Sequence, residues 1–287
     1  MQRLFLYILI VLLASSCRKS EIELIENNQP PPDNTIESVT IENYINRAYI
    51  LVLGREPDSV EYAVAIASLS ANDLDSTSRK NFIAGIFRSP DYLPHLYNQN
   101  RIDLLNNIDT TEFSTWAGIF QLFLLDTNYR LQWPYIQYEI DRLNAVRNAY
   151  MEFTDSLIGI DELQRRMCNN YFYDQINMGS ANFVISTFQN LINRNPTMAE
   201  QQAGVSMVDG SNAILFLQAG SSKNDYLDIF THSFNYYEGQ IILMYLRLLN
   251  RIPNSIEMAD ATSLYSSTGD YSSVQREILS SDEFIGL

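Results

Sequence analysis

The chain has 287 residues, and 46% of them are hydrophobic, which is enough for a large core. Its 34 acidic residues outnumber 19 lysines and arginines and give a formal net charge of −15. Such a charge opposes binding to nucleic acid, whose phosphates are recognised by cationic groups. It equally disfavours peripheral attachment to anionic lipid.

The first 16 residues have the pattern of a secretory signal peptide. A single early charge, Arg3, precedes an apolar run over residues 4–13, and the small residues Ala14, Ser15 and Ser16 follow. About 20 apolar residues are needed to cross a bilayer, so this run is too short to be a membrane span. The pattern predicts that the segment directs export.

Directly after the small residues stands Cys17, and Ala14-Ser15-Ser16-Cys17 resembles the lipobox of bacterial lipoproteins. That resemblance implies that Cys17 is acylated and becomes the first residue of the processed chain. Ala14 is a departure, because the family more often has leucine there. The alternative is an ordinary signal peptide followed by an incidental cysteine. Several acyl chains would give stable membrane anchoring.

The residues behind the cysteine bear on the destination. Arg18 replaces the aspartate that tends to retain lipoproteins in the inner membrane, and residues 19–23 loosely resemble the acidic export signal of Bacteroidetes surface lipoproteins. We therefore expect anchoring to the outer membrane, with either leaflet open. Residues 17–39 are acidic and contain three consecutive prolines, so they are predicted to form a semi-rigid tether.

From about residue 40 onward, apolar residues recur at the three- and four-residue steps of amphipathic helices. The pattern begins with Ile41, Tyr44 and Ile45, and only Ala213–Leu217 is too short to assign by period. We predict an all-α fold, a multi-helix array of three helix–turn–helix repeats with an additional central helical segment. The predicted divisions are a signal peptide (1–16), tether (17–39), repeat 1 (40–98), central segment (99–181), repeat 2 (182–237) and repeat 3 (238–287).

The repeats are defined by three similar turns. Each has the pattern aromatic-x-x-apolar-apolar-[Gly/Asn]-Arg-x-Pro-[Asp/Thr/Asn]-x-x-Glu, beginning at Tyr49, Phe188 and Tyr245. The proline ends one helix, and the residue after it is a good N-cap for the next. The glutamate three residues later completes a capping box. The signature residues are Arg55, Pro57 and Glu61; Arg194, Pro196 and Glu200; and Arg251, Pro253 and Glu257.

The repeated arginines have two interpretations. Each can brace the turn by pairing with its own glutamate or with helix-end carbonyls, or the set can bind an anion. Because arginine and glutamate recur together, we favour the brace. Farther along each repeat, a serine precedes an aromatic residue by three positions, at Ser89, Ser233 and Ser281. This spacing predicts another helix boundary, with the aromatic side chain in the core.

Residues 43–93 and 238–286, and more weakly 182–237, resemble the helical domain of unknown function numbered 4214 of secreted bacterial proteins. The resemblance rests on the turn signature and on the serine–aromatic motif that follows it. That family is distantly similar to the linker domains of phycobilisomes. The resemblance implies an all-α, extracytoplasmic protein and favours binding or assembly over catalysis. It implies no reaction.

The sequence contains few motifs that are typical of catalytic or metal-binding sites. The two histidines, His95 and His232, are far apart, and no zinc motif, nucleotide loop or G-x-S-x-G motif occurs. We expect no cofactor and no metal site, although calcium binding by scattered carboxylates stays open. Cys168 lies on a helical stripe and is interpreted as a buried thiol rather than a nucleophile. Asp174, in apolar surroundings, is interpreted as a cap of the loop before Ile176.

The leading hypothesis is a membrane-anchored lipoprotein that binds an unknown protein partner in the cell envelope and has no enzymatic activity. The alternative is a glycan-binding surface lipoprotein of a polysaccharide-uptake system, and a second alternative is a glycoside hydrolase with paired carboxylates. An exposed apolar surface would favour the first, and two exposed parallel rings the second. The candidate ligand-stacking aromatics are Trp116, Trp133, Tyr135 and Tyr138.

Overall fold

A computed structural model of the protein describes residues 38–287. The predicted signal peptide, Cys17 and nearly all of the tether lie outside these residues. The first helix begins at Ser38, two residues before the predicted start of repeat 1. Within the described residues, no helix is both long enough and apolar enough to span a membrane.

The predicted all-α fold is confirmed. The N-terminal third contains α1 (Ser38–Leu53), α2 (Ser59–Ser70), α3 (Ser76–Ile86), α4 (Tyr92–Leu105) and α5 (Thr110–Leu125). A 3₁₀ turn (Thr127–Tyr129) leads into the middle third, with α6 (Trp133–Thr154), α7 (Ile160–Cys168), α8 (Tyr171–Ile176) and α9 (Ser180–Thr187). The C-terminal third contains α10 (Met198–Val208), α11 (Lys223–Thr231), α12 (Phe234–Leu249), α13 (Ser255–Thr268), α14 (Tyr271–Leu279) and α15 (Asp282–Ile285).

Two irregular features interrupt the helices. The helix α9 continues as a π-helical turn, Phe188–Ile192, which the side-chain period does not predict. The segment that could not be assigned by period forms an antiparallel hairpin of β1 (Ala213–Leu215) and β2 (Gln218–Gly220), with Ile214 opposite Ala219. Both features pack against the core, through Phe188 and Leu215.

The first and last parts of the described chain pack together. Tyr44 of α1 contacts the ring of Phe284 in α15. Arg47 donates to the carbonyl oxygens of Phe284 at 2.8 Å and Leu248 at 2.6 Å. Arg79 of α3 pairs with Asp282 at 2.6 Å. The segment predicted as repeat 1 therefore lies against repeat 3, although the central segment and repeat 2 separate them in sequence.

A buried network of amide side chains connects the middle of the chain to both ends. Gln164 of α7 donates to Asn100 of α4 at 2.8 Å and to Gln240 of α12 at 3.0 Å. Its own carbonyl accepts from the Tyr236 hydroxyl at 2.7 Å. Gln240 in turn donates to the carbonyl of Leu191 in the π-helical turn at 2.9 Å. These bonds satisfy buried polar groups and fix the relative positions of three helices.

Candidate functional site

The three predicted turns have the same local structure. In each, a residue with positive φ ends one helix, at Gly54, Asn193 and Asn250. A capping box begins the next helix, as predicted. The arginine donates two hydrogen bonds of 2.6–2.8 Å to its own glutamate, in the pairs Arg55–Glu61, Arg194–Glu200 and Arg251–Glu257.

Each arginine also has a second side-chain partner, which lies too far along the chain for local spacing to predict it. Arg55 donates from Nε to Asp91 at 2.8 Å, Arg194 donates to Asn235 at 3.2 Å, and Arg251 donates from Nε to Glu283 at 2.7 Å. In every case the partner is the residue directly before the buried aromatic residue of the serine–aromatic motif. A polar acceptor at that position in all three copies was the signal available in the sequence.

The aromatic residue that opens each signature lies under the guanidinium group. The distances from the guanidinium carbon to the ring centroid are 5.7 Å at Tyr49, 5.0 Å at Phe188 and 5.3 Å at Tyr245, within the range of a cation–π contact. Each arginine is thus occupied by a glutamate, a second acceptor and a ring. This arrangement supports the interpretation as a brace and leaves little capacity for an external anion.

Contact with the arginines lowers the pKa of each glutamate. Hydrogen bonds from Arg55 and Arg194 lower the pKa of Glu61 and of Glu200 to about 2. Hydrogen bonding to Arg251 also lowers the pKa of Glu257. The prolines at these turns, Pro57, Pro196 and Pro253, lie in the non-helical residues between the two helices.

The four candidate aromatics do not form a stacking platform. Trp116 is half-buried and packs against Tyr171 with ring centroids 4.7 Å apart. Trp133 is half-buried at the start of α6, and Tyr138 lies under the guanidinium of Arg142 at 4.7 Å. Of the four, only Tyr135 is well exposed, with 62% of its surface accessible. Two exposed parallel rings, the feature expected of the glycan alternative, are not formed by these residues.

The free end of the α5–α6 pair is an exposed apolar surface. The two helices pack mainly on each other, and α5 buries only Phe113 and Ala117 in the core. Toward the turn between them, Leu125 is 80% exposed and Leu131 is 92% exposed. We call this surface the hairpin end and define it by its exposed large apolar residues, Leu122, Leu125, Tyr129, Leu131 and Tyr135.

A group of four charged residues connects α6, α8 and α11. Glu139, only 1% exposed, accepts two hydrogen bonds of 2.5 Å from Arg142. Arg142 also donates to Asp174 at 2.9 Å, and Asp174 pairs in turn with Lys223. Desolvation lowers the pKa of Lys223, whereas the Asp174 carboxylate acts in the opposite direction. Opposite charges alternate through the group, so no charge is buried alone.

The predicted capping role of Asp174 was wrong. The N-cap of α8 is Asn170, whose side chain accepts hydrogen bonds from the backbone N–H groups of Phe172 and Tyr173. Asp174 lies one turn into that helix, and its carboxylate is held by Arg142 and Lys223 instead. Its cationic partners are 32 and 49 residues away in sequence, which explains why local patterns did not identify them.

Beside this charged group runs a cleft of about 700 Å³, which we call the polar groove. Its lining comes from Asn144 and Asn148 of α6, Glu162 and Arg166 of α7, and Asn224 and Asp228 of α11. Glu162 accepts hydrogen bonds from Arg165 at 2.5 Å and Arg166 at 2.6 Å, and these arginines lower its pKa despite its burial. The walls are therefore polar, and their arginines are paired with acids.

Three further residues, Cys168, His95 and His232, were considered for catalysis or metal binding. Cys168 is fully buried, as predicted, and desolvation raises the pKa of its thiol to about 12. His95 packs against Gly54, and His232 lies beside Asp228 near the end of α11. Among residues 38–287, no three histidine, cysteine, aspartate or glutamate side chains are grouped so that they could hold a metal ion.

Comparisons with protein-family models, curated proteins and solved structures found no match.

Proposed function

We propose that this protein is an exported lipoprotein, anchored to the outer membrane through Cys17, that binds a protein partner in the cell envelope. The hairpin end is the observation that carries the proposal. Five large exposed apolar residues lie within residues 122–135, in a chain whose net charge is −15. Large apolar residues exposed together within one short segment are typical of interaction sites.

The composition of the hairpin end suits a protein interface. Between Phe113 and Tyr138 the only charged residues are Asp126 and Arg130. Leucine and tyrosine side chains supply apolar area with few charges to desolvate, which is the composition of interface centres. The resemblance of the turns to domains of extracytoplasmic and assembly proteins agrees with the same function. The three braced turns serve to stiffen the body that presents this surface.

Catalysis receives less support. A retaining or inverting glycosidase needs a general acid whose pKa is raised. In the part of the chain that the structure describes, every carboxyl group with a displaced pKa has it displaced downward, by hydrogen bonds from arginine or from the backbone. The groups are Glu61, Asp75, Asp109, Glu162, Glu200, Asp225, Glu257 and Glu283. We therefore propose binding without enzymatic activity.

A site-specific photo-cross-linker tests the protein-binding proposal in the native envelope. It is placed at Leu131, and a matched chain carries it at Ile256, which is 74% exposed on α13. We expect a discrete protein adduct from position 131, lost when Leu125 is changed to Asp, and no such adduct from position 256. Equal adducts from both positions, or none from either, would contradict the proposed docking surface.

The anchor is tested separately with the variant Cys17→Ser. Cells are fed an alkyne-bearing palmitate, and incorporation into this chain is measured after fractionation of the membranes. We expect label and outer-membrane recovery for the unaltered chain and loss of both for Cys17→Ser, whereas Cys168→Ser retains both. Equal labelling of Cys17→Ser would show that Cys17 is not the acylated residue.

A further inference from the structure

The polar groove is built from three helices, and none of its lining residues belongs to the hairpin end. The short helix α7 packs on both α6 and α11, so it forms the floor between two helical walls. Tyr138, Asp141, Ala145, Asn148 and Glu152 lie along one face of α6. One end of the groove is bounded by Arg142 and Asn224, beside the Arg142–Asp174–Lys223 connection. Its volume of about 700 Å³ is in the range of ligand-binding clefts.

The charges of the groove argue against a strongly anionic ligand. Arg165 is held by Glu162, and Arg166 is held by Glu162 and by Glu152, so these cations are occupied by carboxylates. Asp141 and Asp228 also line the groove, and neither has a lysine or arginine partner within residues 38–287. Acids therefore outnumber the available cations along the walls, and a phosphate or sulfate group would be repelled.

The uncharged lining is suited to hydroxyl groups. Asn144 and Asn148 each carry a carbonyl acceptor and an amide donor, a combination that matches a group able both to donate and to accept. Asn169 donates to the Asn224 carbonyl at 2.8 Å, so Asn224 contributes its amide N–H groups. Carboxylates such as that of Asp228 add acceptors. Arg142 lines the groove although its side chain is only 6% exposed, and its Nε has no acceptor among the described residues.

Among the lining residues, Tyr138 and Ala145 are the two whose side chains carry neither a charge nor an amide group. A lipid chain or an apolar peptide would therefore leave many polar wall groups without partners, which is costly on binding. A ligand dense in hydroxyl groups satisfies those groups instead. The Tyr138 ring, half-buried at the edge of the groove, offers one apolar face against which a sugar ring can pack.

From these features we propose that the polar groove binds a neutral oligosaccharide. The inference goes beyond the proposed protein-binding function and rests on different residues. The asparagine amides and the carboxylates of Asp141 and Asp228 hydrogen-bond the sugar hydroxyls, and the paired arginines hold the walls in place. The ligand class is defined by neutrality and hydroxyl density, because most lining residues are polar and the acids among them outnumber the arginines.

The test uses the full-length lipidated protein in detergent on an array of neutral, uronic acid-containing and sulfated glycans, with a lysine-rich peptide as an additional spot. We expect binding to one or more neutral glycans and weaker or no binding to the acidic ones. The strongest neutral glycan is then titrated by calorimetry. An array without any neutral glycan bound, or with binding only to acidic glycans or to the peptide, would overturn the proposal.

Two variants locate the site. Asn148→Trp fills the groove from an exposed position, and Asn224→Ala removes an amide at its bounded end. Each is expected to weaken binding of that neutral glycan about tenfold or more. Asn43→Trp, at an exposed position on α1, is the matched control and should bind as the unaltered chain does. Circular dichroism checks that all variants are folded. Unchanged affinity in both groove variants would place the glycan elsewhere and refute the assignment.

Discussion

Arg251 and Glu283 are joined across 32 residues of chain, by a hydrogen bond from Nε to Oε1 at 2.7 Å. The same arginine holds Glu257 in its own turn. Arg55 makes the equivalent pair of contacts with Glu61 and Asp91. The contact with the serine–aromatic motif therefore connects each turn to the helix boundary farther along the same repeat.

The second repeat differs at this position and suggests a stabilising substitution. Asn235 stands where the other copies have a carboxylate, and it accepts from Arg194 at 3.2 Å. Asn235→Asp would give Arg194 a second anionic partner and place a negative charge in the first turn of α12, where the helix dipole favours it. We expect the free energy of unfolding to rise by about 0.5 kcal/mol, since partly exposed ion pairs contribute little.

Urea denaturation at low ionic strength measures that change, and the reciprocal variant Glu283→Gln should lose a similar amount. Both differences should shrink in 1 M salt, which screens partly exposed charges. A gain from Asn235→Asp that is unchanged by salt would show that the effect is not electrostatic.

Acid should weaken the Arg55–Glu61 and Arg194–Glu200 ion pairs within a defined pH range. Glu61 and Glu200 have a pKa of about 2 in the folded protein, below the ordinary value of 4.5. A carboxyl group with a lowered folded pKa stabilises the protein above its unfolded pKa, and this contribution is lost as the pH falls toward the folded value. We therefore expect the double variant Glu61→Gln/Glu200→Gln to be less stable than the unaltered chain at pH 7.

The deficit should narrow between about pH 5 and pH 2, because the unaltered chain loses its ion pairs there and the variant has none to lose. Urea titrations followed by circular dichroism at several pH values provide the measurement. Asp209→Asn, on a carboxylate outside the braces, serves as the control. A deficit that stays constant down to pH 2 would contradict the lowered pKa values.

The turns could be predicted from sequence because their chemistry is local. The cap at Asp58 and the carboxylate of Glu61 are three residues apart, so spacing alone suggests their contact. Asp91 lies 36 residues from Arg55, and only the folded chain brings them together. The charged group around Arg142 is likewise assembled from three separate helices, so the surroundings of Asp174 were beyond local pattern.

The β-hairpin escaped prediction for a different reason. Its two turn residues, Phe216 and Leu217, both have positive φ, at 49° and 66°. Asparagine and glycine are the usual residues at such positions, since larger side chains are strained there. Phe216 packs against Phe188 and Phe230, so core packing favours a turn that local preference opposes. Periodicity also did not identify the exposed apolar surface at the turn between α5 and α6, because it does not show that a helix lacks a neighbour.

Gly239 is expected to be sensitive to substitution by alanine. In α12 it lies against the π-helical turn, where an added Cβ would come within 2.7 Å of the Leu191 carbonyl oxygen and closer still to the Ile192 Cα. Backbone atoms cannot move aside as a side chain can, so Gly239→Ala should lower the free energy of unfolding by about 1–3 kcal/mol.

Gly85→Ala is the matched control, because this exposed glycine in α3 has no atom within 4 Å of the added Cβ. It should raise stability by about 0.5–1 kcal/mol through the better helix propensity of alanine. Thermal and urea unfolding of both variants give the comparison. Equal stability changes would mean that the close approach of α12 to the π-helical turn does not constrain position 239.

Removing Arg142 should be costly because it would leave Glu139 without its cationic partner in a site that is 1% exposed. In the described residues Arg142 is the cationic partner of Glu139. Arg142→Met should therefore lower the free energy of unfolding by about 3–5 kcal/mol at pH 7.

The double variant Glu139→Leu/Arg142→Met separates charge from packing. It leaves Asp174 paired with Lys223 and replaces the buried ion pair by apolar groups, which is often close to neutral in stability. We expect it to recover most of the loss caused by Arg142→Met, to within about 1 kcal/mol of the unaltered chain. Urea denaturation of the unaltered chain, Glu139→Leu, Arg142→Met and the double variant at pH 7 gives the coupling energy. Additive losses, without recovery, would show that the packing of these side chains matters more than the pairing of their charges.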